Sequence, residues 1–97
     1  KKFPDVTVYP DWRELLDNEK RLDSVNVSTP DHTHAVATMR AIRRGLHVYT
    51  QKPLTQTIHE ARRLTEAAAA KKVVSQMGIQ IHSHPAHKAV VKLVRDG

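Results

Sequence analysis

The chain has 97 residues, no cysteine and a formal charge of +6, with 39% hydrophobic and 27% charged residues. That length allows one small domain near the lower limit for independent stability, and the composition fits a globular class rather than disorder. Disulfides and thiolate metal sites are excluded, and no apolar run approaches the roughly 20 residues of a membrane helix.

The residues through Tyr9 and Pro10 read as the end of an element whose beginning is missing, and Lys1 in place of a methionine reads as a cut end. Asp11-Trp12-Arg13-Glu14 then opens a short helix, with a capping acid followed three residues later by a glutamate. Leu15 and Leu16 give that helix one apolar side. Ser24 to Ser28 reads as a strand, with β-branched residues bounded by polar ones. Its alternation is cleaner than a fully buried strand requires. Pro30 stops it, and Asp31 or Thr33 can cap a helix running to about Arg44. Val36, Met39 and Ile42 form the expected inner face of that helix, widened by Ala35. Gly45 is placed to end it in a left-handed conformation.

Leu46 to Tyr49 is the second expected strand. Thr57-Ile58-His59-Glu60 is a capping box, and the helix behind it runs to about Lys72. Val73 to Met77 is the third strand, closed by Gly78. A last helix starts near Pro85, and Ala86, Ala89, Val90, Leu93 and Val94 repeat with helical spacing. Strands alternating with helices of about a dozen residues imply parallel strands and right-handed crossovers. The expected fold class is therefore α/β, as part of a doubly wound parallel sheet. The first strand is expected to lie at an open sheet edge.

The positive charge falls mostly on expected helix faces and helix ends, which reads as solvated surface. Aromatic residues are only 4%, so a nucleic-acid surface is not expected. Glycine occurs only at Gly45, Gly78 and Gly97, so the chain holds no Gly-x-Gly-x-x-Gly phosphate loop. His82, His84 and His87 form one histidine cluster, and Asp31, His32 and His34 another. Neither spacing is a standard zinc signature, and no native metal is expected.

Two strand ends carry polar residues in succession. Ser28-Thr29-Pro30-Asp31-His32-Thr33-His34 follows the first strand, and Gln51-Lys52-Pro53-Leu54 follows the second. In open parallel sheets, ligands sit outside the carboxyl ends of the strands. A lone amine there can reach a substrate oxygen.

These two segments, with Gln76-Met77-Gly78-Ile79-Gln80, resemble the Gfo/Idh/MocA oxidoreductases, the relatives of glucose–fructose oxidoreductase and inositol dehydrogenase. The resemblance runs over nearly the whole chain, in order and with similar spacing. It implies a two-domain protein: an N-terminal Rossmann domain that holds NAD or NADP, and a C-terminal domain that covers the substrate. This chain resembles the second half of that Rossmann domain, without the glycine-loop half and without the substrate domain.

The resemblance also implies roles. Lys52 corresponds to the lysine of the family's Glu-Lys-Pro motif, near the nicotinamide and the reacting carbon, and is the expected catalytic residue. Gln51 departs from the usual glutamate and alters the cofactor contact. Pro53 corresponds to the family proline that fixes the loop and can be cis. Ser28, Thr29 and Pro30 correspond to the segment under the nicotinamide ribose, His34 to the family histidine on the next helix, and Gln80 to a glutamine near the cofactor. All of these are expected cofactor-binding positions.

The implied activity is hydride transfer between a nicotinamide and a secondary alcohol of a sugar, polyol or derivative. Two alternatives stand beside it: a cofactor-recycling glycosidase on the same scaffold, and a non-catalytic sensor or interaction module. The expected partner is a small sugar-like molecule, with no membrane and no nucleic acid. The complete protein is expected to be a homo-oligomer. Its compartment is open: a cytoplasmic place is the first expectation, and export follows if a leader precedes this segment.

Overall fold

A computed structural model describes residues 2–97. Lys1, read from the sequence as a cut end, lies outside the described residues. The elements in chain order are α1 (Trp12–Asn18), β1 (Ser24–Val27), α2 (His34–Arg43), β2 (His47–Gln51), α3 (Ile58–Lys71), β3 (Ser75–Gly78) and α4 (Pro85–Asp96). Short 3-10 turns, Asp31–Thr33 and Gln80–Ser83, precede α2 and α4.

The strands form one parallel sheet in the order β1-β2-β3. Val25 lies opposite Val48 and Val27 opposite Thr50, while Thr50 lies opposite Met77 and Gln51 opposite Gly78. β1 is at an edge, as expected from the sequence. The second strand runs to Gln51 instead of stopping at Tyr49, and the third starts at Ser75 instead of Val73. Both ends are set by ladder pairing, which extends past the apolar run at Gln51 and begins only after Val73 and Val74 at Ser75.

Local chemistry fixes the helix ends. Asp11 caps α1 by accepting from the Arg13 backbone N–H at 2.8 Å. Arg44 donates to the Leu16 and Glu19 carbonyls and ties the end of α1 to the end of α2. The capping box of α3 is complete: the Thr57 hydroxyl accepts from the Glu60 N–H, and the Glu60 carboxylate accepts from the Thr57 N–H. Gly45 leaves α2 with φ of 79°, in the left-handed region that favours glycine.

The core lies between the sheet and helices α2 and α3. Leu16, Ala35, Ala41, Ile42, Leu46, Val48 and Leu64 form one buried cluster. Of the face expected for α2, Ile42 and Ala35 are buried and Met39 packs against the cluster, but Val36 is not part of it. Val36 is 58% exposed, while His34, Ala35, Ala37, Thr38, Ala41 and Ile42 are buried. α2 packs against both the sheet and α3. Small side chains allow such close approach, so alanines take the inside and Val36 falls outside.

α4 keeps the periodicity expected of it but buries none of its residues; Leu93 is 71% and Val94 77% exposed. It packs chiefly against the turn before it. The radius of gyration is accordingly 16.4 Å, against about 13 Å for a compact chain of this length.

Candidate active site at the strand ends

The alternation along β1 and β2 divides the sheet into two faces. Val25, Val27, Val48 and Thr50 point to the helices. Asn26, Tyr49 and Gln51 lie on the other face, which none of the described helices covers. Gly78 continues that face beside Gln51. The glycine has a packing reason: a Cβ there would stand 2.7 Å from the Tyr49 hydroxyl and 3.0 Å from Gln51 Oε1. Tyr49 and Gln51 therefore use the space that Gly78 leaves open.

At the carboxyl ends of the strands, the expected residues come together in part. Gln80 donates its side-chain amide to Gln51 Oε1 at 3.1 Å, joining the ends of β2 and β3. Ser28 follows β1 and donates to Asn26 Oδ1 at 3.0 Å. The Thr33 hydroxyl lies 2.7 Å from Thr29 Oγ1 and donates to the Pro30 carbonyl at 2.8 Å, which closes the turn into α2. Lys52 follows the last residue of β2 directly and is exposed. Among the described residues it forms no ion pair within 4.0 Å. The Lys52–Pro53 peptide bond is cis.

His34 stands apart from this exposed set. It is 1% exposed, and both ring nitrogens contact carbonyl oxygens: Nδ1 lies 2.7 Å from Pro53 O and Nε2 2.7 Å from Thr29 O. The sequence offered it as a cofactor contact; its place is inside, between the two turns. The two histidine clusters fare differently. Asp31 and His32 are exposed while His34 is buried, and the His82 and His87 rings stack at 5.1 Å. Among the described residues, no group of three or more His, Asp or Glu side chains is arranged to hold a metal ion.

Tyr49 and Gly78 were not picked out as a pair from the sequence. The available signal was the polar alternation of the strands, which marked a face without a hydrophobic partner.

Parallel strands joined by crossovers through α2 and α3, with polar turns at the carboxyl ends, define a Rossmann-type sheet. Residues 1–79 match the family model described as oxidoreductase family, NAD-binding Rossmann fold. The chain belongs to that family, the Gfo/Idh/MocA oxidoreductases.

It is 34% identical to the 1,5-anhydro-D-fructose reductase of Ensifer adhaerens over 84 residues, covering 87% of this chain and 25% of the reductase. It is 38% identical to an NADP-dependent scyllo-inositol 2-dehydrogenase of Bacillus subtilis over 72 residues, covering 74% of this chain and 20% of that enzyme. Among solved structures, an inositol dehydrogenase homologue from Azotobacter vinelandii, complexed with NADH and myo-inositol, superposes with a TM-score of 0.79 at 35% identity. That match covers 92% of this chain and 24% of the homologue. The chain thus spans a quarter or less of the length of these relatives.

The residues present fit one part of a dinucleotide. Gln51 and Gln80 offer amide donors and acceptors at the strand ends, and Gly78 leaves room for Gln51. Such groups suit a carboxamide and a ribose. No glycine loop for a pyrophosphate is present in the sequence.

Proposed function

We propose that residues 1–97 form the C-terminal half of an NAD(P)-binding Rossmann domain. In this reading, the complete protein transfers a hydride between the nicotinamide and a secondary alcohol of a sugar, polyol or related compound. One observation carries the proposal: Lys52 directly follows β2, and among the described residues no carboxylate pairs with it. Ligands of parallel sheets meet that end of the strands.

When bound, the nicotinamide supplies the hydride acceptor, or the donor in the reverse direction. The chain's own residues do the rest. As the neutral amine, Lys52 Nζ takes the hydroxyl proton of the alcohol while its carbon is oxidised; the ammonium so formed gives that proton to the carbonyl oxygen in the reverse reduction. Gln51 and Gln80 hydrogen-bond at the strand ends, and with Ser28, Thr29, Pro30 and Pro53 they line the nicotinamide side of the site. Anchoring of the pyrophosphate falls to a part of the protein outside this segment, so the segment alone is inactive. The relatives' names support a sugar-like or cyclic polyol substrate, since they act on anhydrofructose and on inositol.

The test is Lys52→Met in the complete protein, with turnover and cofactor affinity measured together. Loss of turnover with cofactor binding retained supports the reading. Turnover within a few-fold of wild type removes it.

A further inference from the structure

We propose that His34 is a positioning residue for the Lys52 site: its imidazole pins the turn after β1 to the turn after β2, and thereby fixes where the Lys52 amine stands. The inference rests on the role proposed for Lys52 above.

The ring is the first residue of α2, so its backbone is held by the helix. Its side chain reaches two separate segments. Nε2 meets the Thr29 carbonyl, five residues earlier in the chain, and Nδ1 meets the Pro53 carbonyl, nineteen residues later. Both contacts are 2.7 Å, at the short end for an N–H···O bond. A carbonyl brings no proton, so each contact asks the ring for an N–H. A neutral imidazole has one to give, and an imidazolium has two.

Both nitrogens are taken up, and the residue is 1% exposed. No edge of the ring is left to touch a cofactor or a substrate. What the ring controls is geometry. Pro53 is the next residue after Lys52, and Thr29 is the next after Ser28. Holding both carbonyls against one rigid ring sets the separation of the two turns. Displacement of a reacting group by about 1 Å can cost roughly 10²-fold in rate. No other described side chain hydrogen-bonds to both turns.

The test uses the complete protein, with turnover expressed per cofactor-binding site so that any loss of folded material cancels. His34→Gln keeps one donor of similar reach, and His34→Leu keeps none. The expected result is a graded fall in kcat, partial in the glutamine variant and roughly 10²-fold in the leucine variant, with cofactor affinity changed far less. If the leucine variant does not fold, the glutamine variant and a spectrum decide. In protein labelled with nitrogen-15 histidine, the His34 ring should show an N–H proton that exchanges slowly with water.

A glutamine variant with wild-type turnover per site, or a ring N–H that exchanges at the solvent rate, overturns the inference. Its failure is separable from that of the functional reading. If Lys52→Met is inactive while His34→Gln is unaffected, only the positioning role falls. If Lys52→Met remains active, the functional reading falls with it.

Discussion

The Gln80 amide donates to Gln51 Oε1 at 3.1 Å, and Gly78 leaves the space in which Gln51 Oε1 and the Tyr49 ring stand. A methyl at Gly78 would meet the Tyr49 hydroxyl, Tyr49 Cε1 and Gln51 Oε1, all within 3.0 Å. Gly78→Ala therefore forces the tyrosine ring or the glutamine to move. Overpacking of this kind costs about 1–3 kcal/mol. The expected outcome is a lower unfolding midpoint and weaker NADH binding in the complete protein. In a Tyr49→Ala background the added methyl has space, so the same substitution should cost much less. Equal costs in both backgrounds would show that this contact is not what the glycine serves.

Inside the fold, Thr38 Oγ1 and Thr50 Oγ1 lie 2.7 Å apart, and both residues are almost completely buried. This bond joins α2 to β2. Removing one hydroxyl leaves the other without its partner, at a cost of about 1–3 kcal/mol. Thr38→Val and Thr50→Val should each destabilise by that order. The double variant should recover most of the loss, because neither hydroxyl is then stranded. Denaturant titration of the four proteins gives the coupling, and simple additivity would rule it out.

Much of this architecture was legible in the sequence. The capping box at Thr57–Glu60, the helix stop at Gly45 and the parallel order of strands and helices each follow from local chemistry. The inner face of α2 was legible in part: Ile42 and Ala35 are buried as the spacing indicates, whereas hydrophobic size pointed to Val36 and close packing selected Ala37, Thr38 and Ala41. A buried histidine and a buried threonine pair also escape any hydrophobic pattern: their burial depends on partners at Pro53 and Thr50 that lie far away in the chain. The strand-end motifs carried the family resemblance by their order. The place of each side chain, His34 inside and Lys52 outside, needed three dimensions.

The cap of α3 gives a pH dependence. The backbone N–H groups of Gln56 and Thr57 donate to the Glu60 carboxylate and hold its pKa below the ordinary glutamate value. A carboxylate lowered in the folded state stabilises fully above its unfolded pKa, and that contribution is lost as pH falls through the folded value. The loss should therefore lie in the acid range, below about pH 4.3. Glu60→Gln should flatten this part of the acid limb while leaving stability near neutrality only slightly reduced. Thermal unfolding followed from neutral pH downward tests it; an unchanged acid limb in the variant would sever Glu60 from the effect.

Lys52 carries the chemical prediction. It is exposed and has no ion partner among the described residues, which leaves its Nζ open to a ligand, and its place directly after β2 puts it where ligands meet a parallel sheet. Lys52→Met keeps a stem of similar length but removes the charge and the donors. Fold and cofactor affinity should persist, since the lysine side chain is not part of the buried cluster. Turnover of the complete protein should fall by roughly 10²-fold or more, the usual scale for losing a general acid–base group. Lys52→Arg restores the charge and not the chemistry, because a guanidinium holds its proton near neutral pH. The arginine variant should therefore stay close to the methionine variant in kcat, even where its charge recovers some substrate affinity. Recovery of kcat by arginine would reduce the role of Lys52 to electrostatic anchoring, and wild-type turnover in both variants would leave it a lysine at a turn.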